Sequence, residues 1–302
     1  MSESLYFYPP HWRGLVIHII GILASLAIGI LGVWQLTRAQ IGLAFLLYLI
    51  PVFVALVLVP LFGYRAYALW RASYLIERDG ILLRWGLREV SIPMDHINTV
   101  RPSEDMEVRL PLPWLRWPGA VLGTRDLPKG DQIEFLAAGS RQLILIFTAE
   151  QVYAVSPAKP DEFMLAYNRF AELGSLTPLI PRSVYPASLL RRVWASLPAR
   201  YLLLGGFIVS LLLLVFVSLS VPSRPAISLG FLPNGSPSEM VPSVRLLLLP
   251  ILNTFFYLAV VLFGLYFFRT DERRTMAYLL WGSGLFAALL FIAAVGFILS
   301  AG

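Results

Sequence analysis

Long hydrophobic runs bracket a middle stretch of short apolar, β-prone segments separated by polar and turn residues. The runs cover residues 15–36, 41–64, 201–221, 246–268 and 276–299. A helix needs about 20 largely apolar residues to cross a bilayer, so the pattern predicts five transmembrane helices. The first run is too long for the apolar region of a signal peptide, about 7–15 residues. It also passes through Thr37-Arg38 straight into the second, so it is expected to be retained. Pro51 and Pro60 interrupt the second run, as kinks that neighbouring helices absorb. Gly21, Ser25 and Gly29, and Gly284 with Ala288, recur at four-residue spacing and predict faces where helix backbones approach closely.

The middle stretch opens with Tyr74-Leu75-Ile76-Glu77-Arg78, then Asp79-Gly80, then Ile81-Leu82-Leu83-Arg84-Trp85. Asp-Gly between two β-prone runs predicts a tight hairpin whose turn residues tolerate positive φ. Further strand candidates follow at 88–92, 97–101, 105–110, 120–125, 131–136, 141–147 and 151–155. Residues 152–155 are expected to pair with the apolar run 141–147. Pro160, Asp161 and Glu162 then suit the first turn of a helix. Its apolar stripe is Phe163, Ala166, Tyr167, Phe170 and Leu173, and Gly174 ends it. Strands followed by one helix predict a small barrel or sandwich with the helix plugging an open end.

The expected organisation is therefore an α-helical multi-pass membrane protein carrying an inserted β-rich domain. Residues 1–72 hold two helices, 73–174 the domain, 175–200 a connector, and 201–302 three more helices. The loop 222–243 carries five prolines with Gly230 and Gly235, so it is expected to lack regular structure. Tyr6, Tyr8 and Trp12 read as interfacial aromatics.

Composition agrees with this partition: 58% of the 302 residues are hydrophobic and 14% charged. There is no cysteine, which excludes disulfides, thiolate metal sites and cysteine nucleophiles. The net charge of +6 would suggest nucleic acid, but residues 73–173 hold 11 basic against 14 acidic side chains. A nucleic-acid partner would want a basic face on the domain itself, so none is expected. The basic residues flank the helices instead. With the domain in the cytoplasm, the inside flanks hold Arg13, Arg65, Arg71, Arg191, Arg192, Arg200, Arg269, Arg273 and Arg274. The outside flanks hold Arg38, Arg224 and Arg245. The positive-inside rule then places the amino terminus inside, and the carboxyl terminus and the proline-rich loop outside, the cell membrane.

The stretch YLIERDGILLRWGLREVSIPMDHINTV (74–100) resembles the bacterial pleckstrin-homology (PH-like) domains, where a hairpin and third strand lead into an Ile-Pro-x-x-x-Ile corner, here Ile92 to Ile97. LRWPGAVLGTRDL (115–127), QLILIF (142–147) and VYAVSPAKPDEFMLAY (152–167) extend the likeness to about a third of the chain. The resemblance implies a PH fold with a terminal helix launched from a Ser-Pro strand end. Lipid-binding eukaryotic PH domains seat phosphoinositide head groups with Lys and Arg on the first hairpin. This chain offers Arg78, Arg84 and Arg88 there, with Glu77 and Asp79 beside Arg78 and Glu89 beside Arg88, and has no lysine before Lys129.

Chemistry-bearing clusters are sparse. His11, His18 and His96 lie in no ligand-spaced motif, and no nucleophile elbow, P-loop or dinucleotide fingerprint appears. No catalytic residue, metal site or cofactor is expected. Asp95 beside His96 reads as a strand-corner pair, and His18 as an interfacial residue of the first span. No Asp, Glu, Lys or Arg falls within a predicted span, which argues against coupled ion transport. Asn253 is the polar exception, expected to join helices by hydrogen bonding, with ligand coordination as the alternative. In the loop 110–119, Trp114, Arg116 and Trp117 would contact the headgroup layer or a partner protein, or else fold back as core. The reading that results is a non-enzymatic, membrane-anchored PH-like adaptor or scaffold at the cytoplasmic face, with the bilayer and other membrane or cytoplasmic proteins as partners. The alternatives are a transporter of a neutral or lipid-like solute and, after it, a phospholipid sensor.

Overall fold

Each hydrophobic run of the sequence becomes a helix in the computed structural model, which describes residues 4–106, 110–114, 116–127, 130–174, 182–184, 188–228 and 240–301. In chain order the elements are β1 (Leu5–Phe7), α1 (Trp12–Leu36), α2 (Leu43–Trp70), β2 (Ser73–Glu77), β3 (Gly80–Trp85), β4 (Arg88–Pro93), β5 (Ile97–Pro102), β6 (Arg116–Trp117), β7 (Ala120–Asp126), β8 (Gln132–Ala137), β9 (Ile144–Thr148) and β10 (Val152–Val155). They continue with α3 (Pro160–Leu173), β11 (Arg182–Val184), α4 (Ser188–Ala195), α5 (Leu197–Ser220), β12 (Ala226–Ser228), β13 (Met240–Pro242), α6 (Leu248–Phe267) and α7 (Arg274–Ala301). The helices α1, α2, α5, α6 and α7 belong to five segments long and apolar enough to cross a membrane. Pro51 and Pro60 lie inside α2 without ending it. Two compact units result: Met1–Ile28 with Val54–Pro186, and Gly29–Phe53 with Ala187–Gly302.

The first unit holds the β domain. One sheet runs β1-β2-β3-β4-β11, the other β5-β9-β10-β8-β7-β6, so the strands form two open sheets rather than a closed barrel. Parity explains the core. Tyr74, Ile76, Ile81, Leu83, Trp85, Val90 and Ile92 pack with Leu136, Ile144, Ile146 and Val155 of the second sheet, and with Phe163, Ala166 and Phe170 of α3. The second sheet buries its other face too, through Ile133, Phe135, Ala137, Leu145, Val152 and Ala154. Beyond its antiparallel partner β9, β10 also pairs in parallel with β8.

Several sequence expectations need correction here. The hairpin turn is Arg78-Asp79, since Glu77 pairs with Gly80, and neither Asp79 nor Gly80 has positive φ. Glycine is required at 80 because a Cβ there would collide with the Ile92 carbonyl of the next strand. The segment read as a strand at 105–110 starts as a 3-10 turn, Ser103–Asp105, and 107–109 lie outside the described residues. Met106, Leu110 and Leu112 instead cover the outer face of the second sheet. Pro111 and Pro113 cannot donate to a ladder. Gln142 takes a positive φ of 52°, so β9 begins at Ile144. Leu173 is 51% exposed and leaves the α3 stripe. The amino-terminal segment is more than an interfacial tail: β1 adds to the free edge of β2, and Phe7 stacks edge-on against Phe163 at 5.2 Å.

The connector also carries structure. β11 pairs with β4, and α4 precedes α5, while 175–181 and 185–187 lie outside the described residues. In the second unit, α5, α6 and α7 pack through small residues. A Cβ at Gly284 would approach Val260 to 2.6 Å, and one at Gly206 the Tyr257 ring to 2.6 Å. The proline-rich loop forms a short antiparallel pair, β12 with β13, although 229–239 lie outside the described residues.

Candidate functional site at the helix-proximal face

Two turns of the β domain rest directly on the helices of its own unit. Gly86, at φ 59°, begins the β3–β4 turn, and a Cβ there would sit 2.7 Å from the Ala68 side chain. Gly119, at φ 82°, closes the β6–β7 turn, where a Cβ would come within 2.6 Å of the Gly14 Cα. Both conformations are left-handed, and both contacts exclude a side chain, so only glycine fits on either count. The backbones of the turns therefore touch the start of α1 and the end of α2. β2 begins at Ser73, immediately after α2 ends at Trp70, which leaves no flexible spacer.

At this seat the sequence candidates separate. Trp117 leans on the helix, its ring 5.7 Å from Phe62, and remains 40% exposed. Trp114 is 88% exposed and Arg116 is also exposed, so neither folds back as core. Leu115 lies outside the described residues. Trp12, Trp70 and Leu87, next to the seated residues in the chain, are exposed too. The face thus presents aromatic and aliphatic groups around the helix ends, with Arg116 among them. Such a surface suits the headgroup layer or a protein hot spot.

The three hairpin arginines each have a partner inside the domain. Arg78 donates to the Leu173 and Gly174 carbonyls at 2.8 and 2.7 Å, where it satisfies the end of α3. Arg84 meets Glu89 at 3.4 Å on an exposed flank. Arg88 is buried and forms a two-pronged pair with Glu134, Nε to Oε1 at 2.9 Å and a terminal nitrogen to Oε2 at 2.8 Å. It also donates to the Ser183 hydroxyl of β11 at 2.8 Å. The pair joins the two sheets and ties down the strand that leads back to the helices. Sequence reasoning left Arg88 with Glu89, yet strand parity puts Arg88 on the inward face with Val90 and Ile92.

A second buried polar node holds the Ser-Pro strand end. The Tyr74 hydroxyl donates to the Leu136 carbonyl at 2.7 Å and accepts from the Ser156 amide at 3.3 Å. Ser156 Oγ in turn accepts from the Ala138 amide at 2.8 Å. Burial pushes the Tyr74 hydroxyl's pKa far above the ordinary tyrosine value.

Where β4 turns into β5 the sheets stay apart, and an open cleft of about 220 Å³ lies between this corner and the β9–β10 turn. Asp95, His96, Asn98, Thr148 and Glu150 line it, with Tyr153 at the back. No lysine or arginine lines it, so it favours hydrogen-bond donors and cations. No group of three metal-ligating side chains occurs among the described residues.

Of the intramembrane candidates, Asn253 is fully buried on α6 and donates from Nδ2 to Ser210 Oγ on α5 at 2.8 Å. Its Oδ1 has no hydrogen-bond partner among the described residues. His18 is fully buried, 6.2 Å from the Phe62 ring, and neither ring nitrogen has a partner among the described residues.

Residues 72–171 match the family model of the bacterial PH domain, which covers a third of the chain. Comparisons with curated proteins and with solved structures give no match. The β-rich middle third thus matches a bacterial PH domain, flanked before and after by helices long and apolar enough to span a membrane.

Proposed function

We propose that this PH-domain membrane protein is a non-enzymatic adaptor, which holds its domain fixed against the cytoplasmic face of the membrane and offers an exposed surface to other proteins. The observation that carries this reading is the glycine seat: Gly86 on Ala68 and Gly119 on Gly14, with no spacer before β2. A domain tethered to search for distant ligands would need slack, whereas a seated one presents the same surface at a constant height. Trp114 and Arg116 stand free beside the seat and are the first candidates for partner contact. The cytoplasmic placement rests on the nine-to-three excess of flanking arginines.

The chain has no cysteine, so a single Asp79→Cys is a unique label. An impermeant maleimide should label it in opened cells and leave it untouched in intact ones; the opposite result would overturn the orientation. A photoreactive residue at 114 in native membranes should then give discrete protein adducts, and Trp117→Ala should reduce them with expression unchanged. Lipid adducts alone would replace the adaptor by a domain that dips into headgroups.

A further inference from the structure

The short helix α4 (Ser188–Ala195) belongs to the second unit and leads into α5. Six of its eight residues divide into three sectors. Leu189 and Val193 face inward, with Val193 3% exposed in a cluster with Ala199, Phe268, Ala277 and Trp281. Leu190 and Trp194, one turn apart, form a second flank and are 61% and 57% exposed. Arg191 and Arg192 form the third, exposed and without an ion pair among the described residues. The helix contains no acidic residue. After Ser196, whose hydroxyl lies 2.9 Å from that of Tyr278, the chain turns into α5.

This is the arrangement of a helix lying in a membrane surface: one flank anchored on its own bundle, one apolar flank open, and cations alongside. The surroundings strengthen the charge argument. At the end of the bundle where α5 begins, α6 finishes and α7 starts, Arg200, Arg269, Arg273 and Arg274 accompany Arg191 and Arg192. Asp271 and Glu272 are the acids there, and Asp271 is already paired with Arg274 at 2.6 Å. Tyr201 and Trp194, both exposed near the start of α5, are residues of the kind enriched at membrane interfaces.

We infer that α4 is a docking surface for anionic phospholipid headgroups of the leaflet at which α5 enters. Leu190 and Trp194 sink to the acyl boundary, and Arg191 and Arg192 engage the lipid phosphates and negative headgroups. A second copy of the chain fits this flank poorly, because a two-fold contact would set the arginines of each copy against those of the other.

The test uses the full chain. Trp194→Cys carries a polarity-sensitive fluorophore in vesicles of phosphatidylcholine with increasing phosphatidylglycerol, and Leu190→Cys serves as a second label on the same flank. Emission at both positions should shift to the blue and become protected from iodide as the anionic fraction rises, and high salt should reverse this. Removing one arginine, as Arg191→Gln, should move the half-shift to a higher anionic fraction, corresponding to about a fivefold weaker apparent binding constant. Arg191→Gln with Arg192→Gln should abolish the dependence. Labels that stay open to iodide at every composition would overturn the inference. So would protection that follows the protein-to-lipid ratio instead of the anionic fraction, since that is self-association.

Discussion

The β domain and the helical bundle bury polar groups in different ways. In the domain, Arg88 and Glu134 are both less than a tenth exposed, yet each guanidinium prong meets a carboxylate oxygen, and Ser183 takes a further donor. In the bundle no ion pair is found among the described buried residues. Its central polar group is the neutral Asn253, satisfied on one side and bare on the other. A charge removed from water costs several kcal/mol per ion and needs complete pairing to be tolerated. A neutral amide in hydrocarbon costs less and survives with half its bonds made. The domain therefore has one charged cross-brace between its sheets, and the bundle packs glycine backbones closely on neighbouring side chains, as Gly284 on Val260.

Cutting that brace should give the largest effect. Glu134→Ala leaves Arg88 buried without its counter-charge, at a cost of about 3–5 kcal/mol. Against a total stability of about 5–15 kcal/mol, much of the domain's reserve disappears. Thermal unfolding of the purified chain in detergent should show the loss. The double variant Arg88→Met with Glu134→Leu should recover most of it, because it removes both charges and keeps the volume. A single variant as stable as the parent would mean that the pair does not hold the sheets together.

Much of this was legible beforehand and some was not, for separable reasons. The helices were legible because bilayer length and apolarity leave few alternatives, and the PH strands because short β-prone runs are bounded by turn residues such as Asp79-Gly80. Arg88 facing inward was also written in β4, where it shares parity with Val90 and Ile92, but its partner lies 46 residues away on another sheet, and no local pattern carries that distance. β1 and β11 are three residues each, too short for any periodicity to reveal. Only the free edges of β2 and β4 select them. Gly80 was legible as a glycine and misread in its cause, because crowding by Ile92 and positive φ demand the same residue. The seat of Gly119 on Gly14 had no local signal beyond a Pro-Gly turn.

The next effect belongs to Tyr74, where a neutral group is buried with both bonds made. Tyr74→Phe would strand the Leu136 carbonyl and the Ser156 amide, at about 1–3 kcal/mol. It also carries a pH signature. The unfolded chain releases the tyrosine proton near pH 10, while in the folded domain burial keeps it bound to higher pH. Because the folded state then holds more protons than the unfolded, stability is complete below pH 10 and falls as pH rises above it. Half-buried Tyr167, also shifted upward by burial, adds to the same window. Urea titration should show the parent losing stability above pH 10 faster than Tyr74→Phe. Equal slopes would remove Tyr74 from the account.

The smallest effect tests the bundle's side of the contrast. Asn253→Leu deletes the bond to Ser210 but also removes the bare Oδ1, and Ser210 still donates to the Gly206 carbonyl at 2.8 Å. Hydrogen bonds between membrane helices average about 0.6 kcal/mol and reach about 1.7. The net change should thus lie at or below that average, seen as a shift of a degree or two in detergent. Ser210→Ala should cost somewhat more, since it also removes the bond to the Gly206 carbonyl, and the double variant little more than Ser210→Ala alone, since the Asn253 bond is already gone. A loss several times larger, or one that depends on a small molecule added to the buffer, would mean that Asn253 holds something other than its neighbour. The neutral node would then be a binding site, and the transporter reading would displace the adaptor.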